Sequence, residues 1–149
     1  MSGPSGFRRG TSQSMMEDLT NLRSEQGFVE AAQRRWQQLG EELRADVAEF
    51  NSRKNGASFS QPSDSQYRVS NSVSGLDVVL TADFAAQTVR YDYAPIAGKS
   101  KGIPEGGILS MRERRPGVVE FYSSDEQLTP DETRQVVLEP VLFPPQLAA

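Results

Sequence analysis

The fold is decided by a predicted hairpin that begins with Gly75-Leu-Asp-Val-Val-Leu-Thr-Ala82, turns at Asp83-Phe-Ala-Ala86 and returns through Gln87-Thr-Val-Arg-Tyr-Asp-Tyr93. Apolar and polar residues alternate on both sides of the turn, which is typical of strands with one buried face. If Ala82 pairs with Gln87, three apolar cross-strand pairs share a face. These pairs are Leu80 with Val89, Val78 with Tyr91, and Leu76 with Tyr93.

The other face of this hairpin is predicted to be polar. The same pairing gives it Thr81 beside Thr88, Val79 beside Arg90, and Asp77 beside Asp92. Two directly opposed carboxylates repel each other unless something neutralises them. We favour an exposed lattice in which Arg68 and Arg90 supply the countercharge. A cation site is the alternative, although two carboxylates give fewer oxygens than a hard cation normally needs.

Further strands extend the predicted sheet on both sides of the hairpin. A strand over residues 66–72 pairs in phase with 75–82, with Asn71 opposite Leu76, Val69 opposite Val78, and Tyr67 opposite Leu80. The second strand of the central hairpin covers residues 87–94. A second hairpin joins residues 108–114 to 118–123 through a loop in which Gly117 takes the left-handed conformation. There Met111 faces Phe121, and Arg112 faces Glu120 as an ion pair.

A long helix over residues 15–54 is predicted to precede the sheet. Ser14 and Glu17 match a capping box, and Gly27 is a place where the helix can break. Apolar residues recur at steps of three and four, and Gly40 permits close packing on the sheet. An intermolecular coiled coil is the alternative, because five apolar residues have seven-residue spacing. They are Leu22, Val29, Trp36, Leu43 and Phe50.

The two ends of the chain differ in character. Residues 1–13 are rich in Gly, Ser and Pro and are predicted to form a disordered tail, whereas residues 14–149 form one domain. Thr129, Pro130 and Glu132 predict a short helix over residues 130–139, which Pro140 ends. The expected fold is α+β, with a long N-terminal helix packed on an antiparallel sheet of about five strands and a short C-terminal helix.

Composition excludes many kinds of chemistry. The 149 residues include no Cys and no His, so there is no thiolate nucleophile, no Cys/His zinc site and no imidazole base. We therefore predict no enzyme activity, no cofactor and no metal. A net charge of -4 disfavours binding to nucleic acid or to anionic membranes. The sequence has no apolar stretch of membrane-spanning length, which predicts a soluble, cytoplasmic protein.

A basic patch offers an alternative function. Lys99 and Lys101 lie in a long Gly-rich loop, and Arg112, Arg114 and Arg115 lie near the tip of the second hairpin. Arginines on a hairpin can bind phosphate, so a nucleic-acid-binding module is a second hypothesis. A cation-dependent enzyme that uses Asp77 and Asp92 is a third hypothesis.

The leading hypothesis is a non-enzymatic protein-interaction module that associates with itself or with a protein partner. A sheet face of alternating charges would provide specificity, and Phe84 in the hairpin turn would provide an apolar anchor. Edge strands could also pair with another copy. The candidate contact residues are Arg68, Asp77, Val79, Phe84, Arg90 and Asp92.

Overall fold

A computed structural model describes residues 2–96 and 102–143 of the chain, with side chains described from Gln26 onward. Helix α1 (Ser2–Arg53) precedes the strands, and helix α2 (Pro130–Leu142) follows them. The strands are β1 (Ala57–Ser63), β2 (Gln66–Asn71), β3 (Leu76–Asp83), β4 (Thr88–Pro95), β5 (Gly107–Arg115), β6 (Val118–Ser123) and β7 (Glu126–Gln127). They form one antiparallel sheet in chain order, which confirms the α+β class with its long first helix and short last helix.

The sheet described here has seven strands, so the prediction of about five strands is wrong. The sequence reasoning missed β1 and β7 because neither has a strand-like composition. β1 reads Ala-Ser-Phe-Ser-Gln-Pro-Ser, and its pairing with β2 shifts between Ser60 and Ser63. Pro62 is tolerated there because an edge strand needs hydrogen bonds on one side only. β7 has only two residues.

Helix α1 is continuous through Gly27 and begins at Ser2, earlier than the predicted start near Met15. The sequence reasoning placed the start later because residues 2–13 contain Gly, Pro and Ser, which have low helix propensity. A helix end of this composition exchanges readily with coil. Disorder of residues 1–13 in solution therefore stays a prediction.

The buried stripe of α1 packs on the sheet of the same chain. From Phe28 onward its apolar members are buried except Val29, which is half-buried, and Trp36, Leu39 and Leu43 are fully enclosed. Trp36, Leu43 and Phe50 are three of the residues that the coiled-coil alternative assigned to a second copy. The intramolecular interpretation is therefore correct for this part of the helix.

Gly40 brings α1 into direct contact with the sheet. A Cβ atom at residue 40 would overlap the Tyr67 ring, so only glycine fits there without displacement. The Tyr67 ring stacks on Trp36 with centroids 4.1 Å apart, and its hydroxyl donates to the Trp36 carbonyl at 2.8 Å. Burial, and to a smaller extent the charge of Glu41, raise the pKa of Tyr67 to about 12. The close approach predicted at Gly40 is confirmed.

Strand registers were predicted with mixed success. The pairing of β2 with β3 is confirmed, including Val69 opposite Val78. The central hairpin is offset by two residues from the prediction: Ala82 pairs with Val89, and Leu80 pairs with Tyr91. The cause lies in the turn, where the Asp83 carboxylate accepts from the Ala86 N–H at 3.0 Å. Gln87 adopts a left-handed φ of 60°, so the turn begins one residue later than predicted.

Helix α2 continues through Pro140 to Leu142, so its predicted end near Glu139 is wrong. Proline has no N–H, which leaves the Val136 carbonyl without its helical donor. The Tyr93 hydroxyl approaches this carbonyl at 3.3 Å and donates to the Val137 carbonyl at 2.6 Å. The sheet therefore places a donor beside the carbonyl that Pro140 leaves without its helical partner. Burial raises the pKa of Tyr93, and nearby Tyr91 and Glu139 raise it further. The predicted capping box at Thr129 is confirmed.

We expect Gly40→Ala to lower the free energy of unfolding by about 1–3 kcal/mol, because the new methyl group overlaps the Tyr67 ring. Gly27→Ala is the matched control, since a Cβ atom there has no neighbour within 4 Å. The control should raise stability by up to about 1 kcal/mol through helix propensity. Urea denaturation measures both changes, and equal effects of the two substitutions would contradict the close contact.

We expect Tyr93→Phe to lower the free energy of unfolding by about 1 kcal/mol, because the part-buried Val137 carbonyl loses a donor and the Val136 carbonyl loses its neighbouring hydroxyl. Pro140→Ala restores the missing helical N–H, so the cost of Tyr93→Phe should be smaller in that background. A double-mutant cycle by thermal denaturation measures this coupling. An unchanged cost would show that the hydroxyl does not compensate for Pro140.

Candidate functional site

The two faces of the sheet have different surroundings. Three inward-facing residues contact the helices: Tyr67 contacts α1, whereas Asn71 and Tyr93 hydrogen-bond to carbonyls of α2. The residues that alternate with these inward-facing ones along each strand point to the other side of the sheet, and we call the surface that they form the outer face. Its side chains are Arg68, Asp77, Val79, Thr81, Arg90, Asp92, Ile108, Ser110, Arg112 and Tyr122.

The outer face brings together five of the six predicted contact residues. Arg68 and Asp77 form an ion pair of 2.6 Å between β2 and β3. Val79 pairs with Arg68 on one side and with Asp92 on the other. Arg90 lies two residues before Asp92 on β4, between Thr81 and Ile108. Of the predicted lattice of charges, the described structure shows the Arg68–Asp77 ion pair, whereas Arg90 and Asp92 have no ion-pair partner among the described residues.

Asp77 and Asp92 are not opposite each other, so this predicted pair is wrong. The two-residue offset of the hairpin places Asp77 opposite Ala94 and Asp92 opposite Val79. One Asp77 oxygen binds Arg68, and the other is buried without a hydrogen-bond partner. In residues 2–96 and 102–143, no group of three or more acidic side chains could hold a metal ion. The cation hypothesis therefore loses the opposed pair on which it rested.

The large apolar side chain exposed on the outer face is Ile108, whereas the predicted contact residue Phe84 lies in the hairpin turn. Phe84 is half-buried against the core, although it lies in the hairpin turn. The Ile108 side chain is 55% exposed on β5, an interior strand of the sheet. The outward direction of Ile108 was predictable from the sequence. Met111 faces inward in the predicted hairpin, and side chains alternate between the two faces along a strand, so Ile108 must face outward. The sequence reasoning did not use this signal.

The predicted basic patch is only partly described. Lys99 and Lys101 lie outside the described residues. Arg112 pairs in register with Glu120, but its guanidinium binds Asp125 at 3.2 Å and lies 4.9 Å from the Tyr122 ring centroid. The predicted Arg112–Glu120 ion pair is therefore wrong. Arg114 and Arg115 are exposed near the hairpin tip.

Glu120 instead belongs to an ion-pair chain that joins β6, α1 and α2, which we call the Arg35 network. Arg35 is only 6% exposed and binds Glu120 at 3.4 Å and Glu42 at 3.3 Å. Glu42 also approaches Arg134, which binds Asp46 at 2.6 Å. Burial alone would lower the pKa of Arg134, but its hydrogen bond to Asp46 and the nearby carboxylates raise it.

One nitrogen of Arg35, Nη2, is buried without a hydrogen-bond partner. The Arg35 guanidinium carbon lies 4.9 Å from the centroid of the buried Phe121 ring. A cation over a ring face compensates part of the lost hydration. This contact explains how a buried guanidinium can keep one nitrogen unpaired, so we interpret Arg35 as a structural residue.

Helix α1 borders several surface clefts in the described structure, and one of about 590 Å³ lies between α1 and the β5–β6 hairpin tip, where Arg115 lines it. A groove of about 510 Å³ between α1 and α2 is lined by Asp46, Arg134, Leu138 and Phe143, among others. A cleft of about 320 Å³ lies between α1 and β6, where Arg34 approaches the Gly117 carbonyl at 3.4 Å. Of the ionic groups in the last two clefts, Asp46, Arg134, Arg35 and Glu120 are bound within the Arg35 network, whereas Glu139 and Arg34 are not part of it.

No protein-family model matches the sequence, and comparisons with curated proteins and with solved structures found no significant match. None of the described helices has a segment both long and apolar enough to cross a membrane.

We expect Arg35→Met to lower the free energy of unfolding by about 3 kcal/mol, because Glu42 and Glu120 lose the charge that lies between them. Adding Glu120→Gln should recover part of this loss by removing one unpaired carboxylate. Arg53→Met is the control, since Arg53 is 77% exposed and its ion pair with Glu49 contributes at most about 0.5 kcal/mol. Equal losses from Arg35→Met and Arg53→Met in guanidinium denaturation would contradict this role.

Proposed function

We propose that the protein is a non-enzymatic protein-interaction module and that its outer face binds a protein partner. The supporting observation is Ile108, a large apolar side chain exposed on an interior strand. Arg90 lies beside it, and Tyr122 lies diagonally across on β6. Arginine and aromatic residues around an apolar centre are the composition of interface hot spots.

Association through a sheet edge has less support than association through this face. The Asn51 side chain accepts from the Ala57 N–H at 3.1 Å and donates to the Ala57 carbonyl at 2.8 Å. These groups at the start of β1 are therefore occupied, and Pro62 lies within the irregular part of the strand. At the other edge, β7 offers only two residues. Short, irregular edges discourage the addition of another strand.

Two other functions stay as alternatives. Nucleic-acid binding would use Arg114 and Arg115, because Arg112 is engaged by Asp125 and Tyr122. Such binding should weaken steeply as salt concentration rises. A catalytic role has no specific support from the described residues. The absence of a cofactor and a cytoplasmic location stay predictions from composition.

We expect Ile108→Glu to abolish partner binding, because a charge replaces the apolar centre of the outer face. Val73→Glu is the matched control: Val73 is 64% exposed but lies in the turn between β2 and β3. Both substitutions should change stability by no more than about 0.5 kcal/mol. The measurement is retention of proteins from a lysate of the source cells, and of a tagged second copy, on the immobilised chain.

The wild-type chain and Val73→Glu should retain the same protein about tenfold or more better than Ile108→Glu does. Equal retention by all three chains, or no retention by any of them, would contradict the proposal. Circular dichroism checks that each variant is folded.

A further inference from the structure

The outer face carries two opposite charges that lack ion-pair partners among the described residues. Arg90 and Asp92 are both exposed and lie two positions apart on β4. Within the described part of the chain, neither has an oppositely charged group within 4.0 Å. By contrast, Arg68 is paired with Asp77, and Arg112 is paired with Asp125. A partner surface of a single charge sign would satisfy only one member of this exposed pair.

We infer that the partner at the outer face is a second copy of this chain, related by a two-fold axis that pairs Arg90 of each copy with Asp92 of the other. This inference rests on the proposed function of the outer face. A two-fold interface uses the same patch on both copies, so the patch must be complementary to itself. Neighbouring charges of opposite sign meet this condition.

The sheet register fixes where such an axis can lie. The axis lies between the two outer faces and is perpendicular to the strands. It passes over the row of cross-strand neighbours Leu80, Tyr91 and Gly107. Leu80 and Tyr91 turn their side chains towards the core. Rotation about this axis makes β4 antiparallel to β4 of the second copy. Residue 90 then faces residue 92, because each is one position from the axis.

The same rotation produces compatible contacts on the neighbouring strands. On β3, Val79 faces Thr81 of the second copy. On β5, Ile108 faces the segment just before the strand, where Gly106 packs against the Tyr91 carbonyl and the Asp92 side chain. On β2, Gln66 faces Arg68, which is already paired with Asp77. Like charges are therefore not opposed in the row next to the axis. In the following row on β3, Asp77, which is already paired with Arg68, faces Asp83 of the second copy.

The reach of the side chains fits this arrangement. Packed sheets lie roughly 10 Å apart, a gap that extended arginine and aspartate side chains span together. Four strands spaced by about 4.8 Å, each contributing about five residues, give a face of roughly 300 Å². This area is below the ~800 Å² that each partner buries in a standard interface, so the dimer should be weak, with a Kd of roughly micromolar to millimolar.

Charge reversal tests the pairing directly. Arg90→Glu makes both residues acidic, and Asp92→Lys makes both basic, so each variant alone should repel its own copy. We expect the wild-type mass in light scattering to rise towards that of a dimer with concentration. Each variant should dimerise at least about tenfold more weakly, whereas an equimolar mixture of the two should recover dimers. Arg53→Glu, an equivalent charge change on α1, should behave as the wild type.

Three results would overturn the inference: a monomeric wild type up to about millimolar concentration, dimers that persist in both single variants, or a mixture that stays monomeric. A monomeric wild type combined with protein capture that depends on Ile108 would leave the proposed function in place with a different partner. If the wild type neither dimerises nor captures a protein in a way that depends on Ile108, both the proposed function and the inferred dimer are contradicted. Circular dichroism confirms that each variant is folded before its mass is interpreted.

Discussion

The packing of Tyr67 against Trp36 and Gly40 determines how α1 lies on the sheet. The two rings stack 4.1 Å apart, and the Tyr67 hydroxyl donates to the carbonyl of Trp36 itself. The Trp36 indole N–H in turn donates to the Asp64 carbonyl at 2.9 Å, in the turn between β1 and β2. One cluster therefore fixes the distance between helix and sheet as well as the position along the strands. This contact depends on the absence of a side chain at residue 40.

The second helix depends on polar contacts of the same kind. Asn71 is buried and donates to the Val141 carbonyl at 2.8 Å, while Tyr93 donates near Pro140. These donors come from β2 and β4, on the face that α1 also covers. Because α2 has a proline in its interior, these donors from the sheet support its last turn together with the Phe143 N–H, which donates to the Glu139 carbonyl. The Arg35 network adds an ionic connection between the two helices, through Arg134 and Asp46.

Sequence reasoning succeeded where local patterns decide the structure. The α1 stripe, the β2–β3 register and the left-handed Gly117 follow from periodicity and turn chemistry. It failed where a single side chain acts at a distance or within a turn. In the turn, the Asp83 carboxylate accepts a hydrogen bond from Ala86, and the observed β3–β4 register differs from the predicted one by two residues. Asp77 and Asp92 are therefore not opposite each other. Because the difference is an even number of residues, every side chain stays on its predicted face.

The candidate site shows the same division. The composition of the outer face was predictable because a two-residue offset preserves parity, so Arg90 and Asp92 stay outward in either register. Their neighbours were not predictable, because Glu120 is bound by Arg35, a residue 85 positions away in the sequence. Within the described structure, these tertiary pairs engage Arg68, Asp77, Arg112 and Glu120 and leave Arg90 and Asp92 with no ion-pair partner. The unpaired charges could therefore be recognised only once the partners of their neighbours were known.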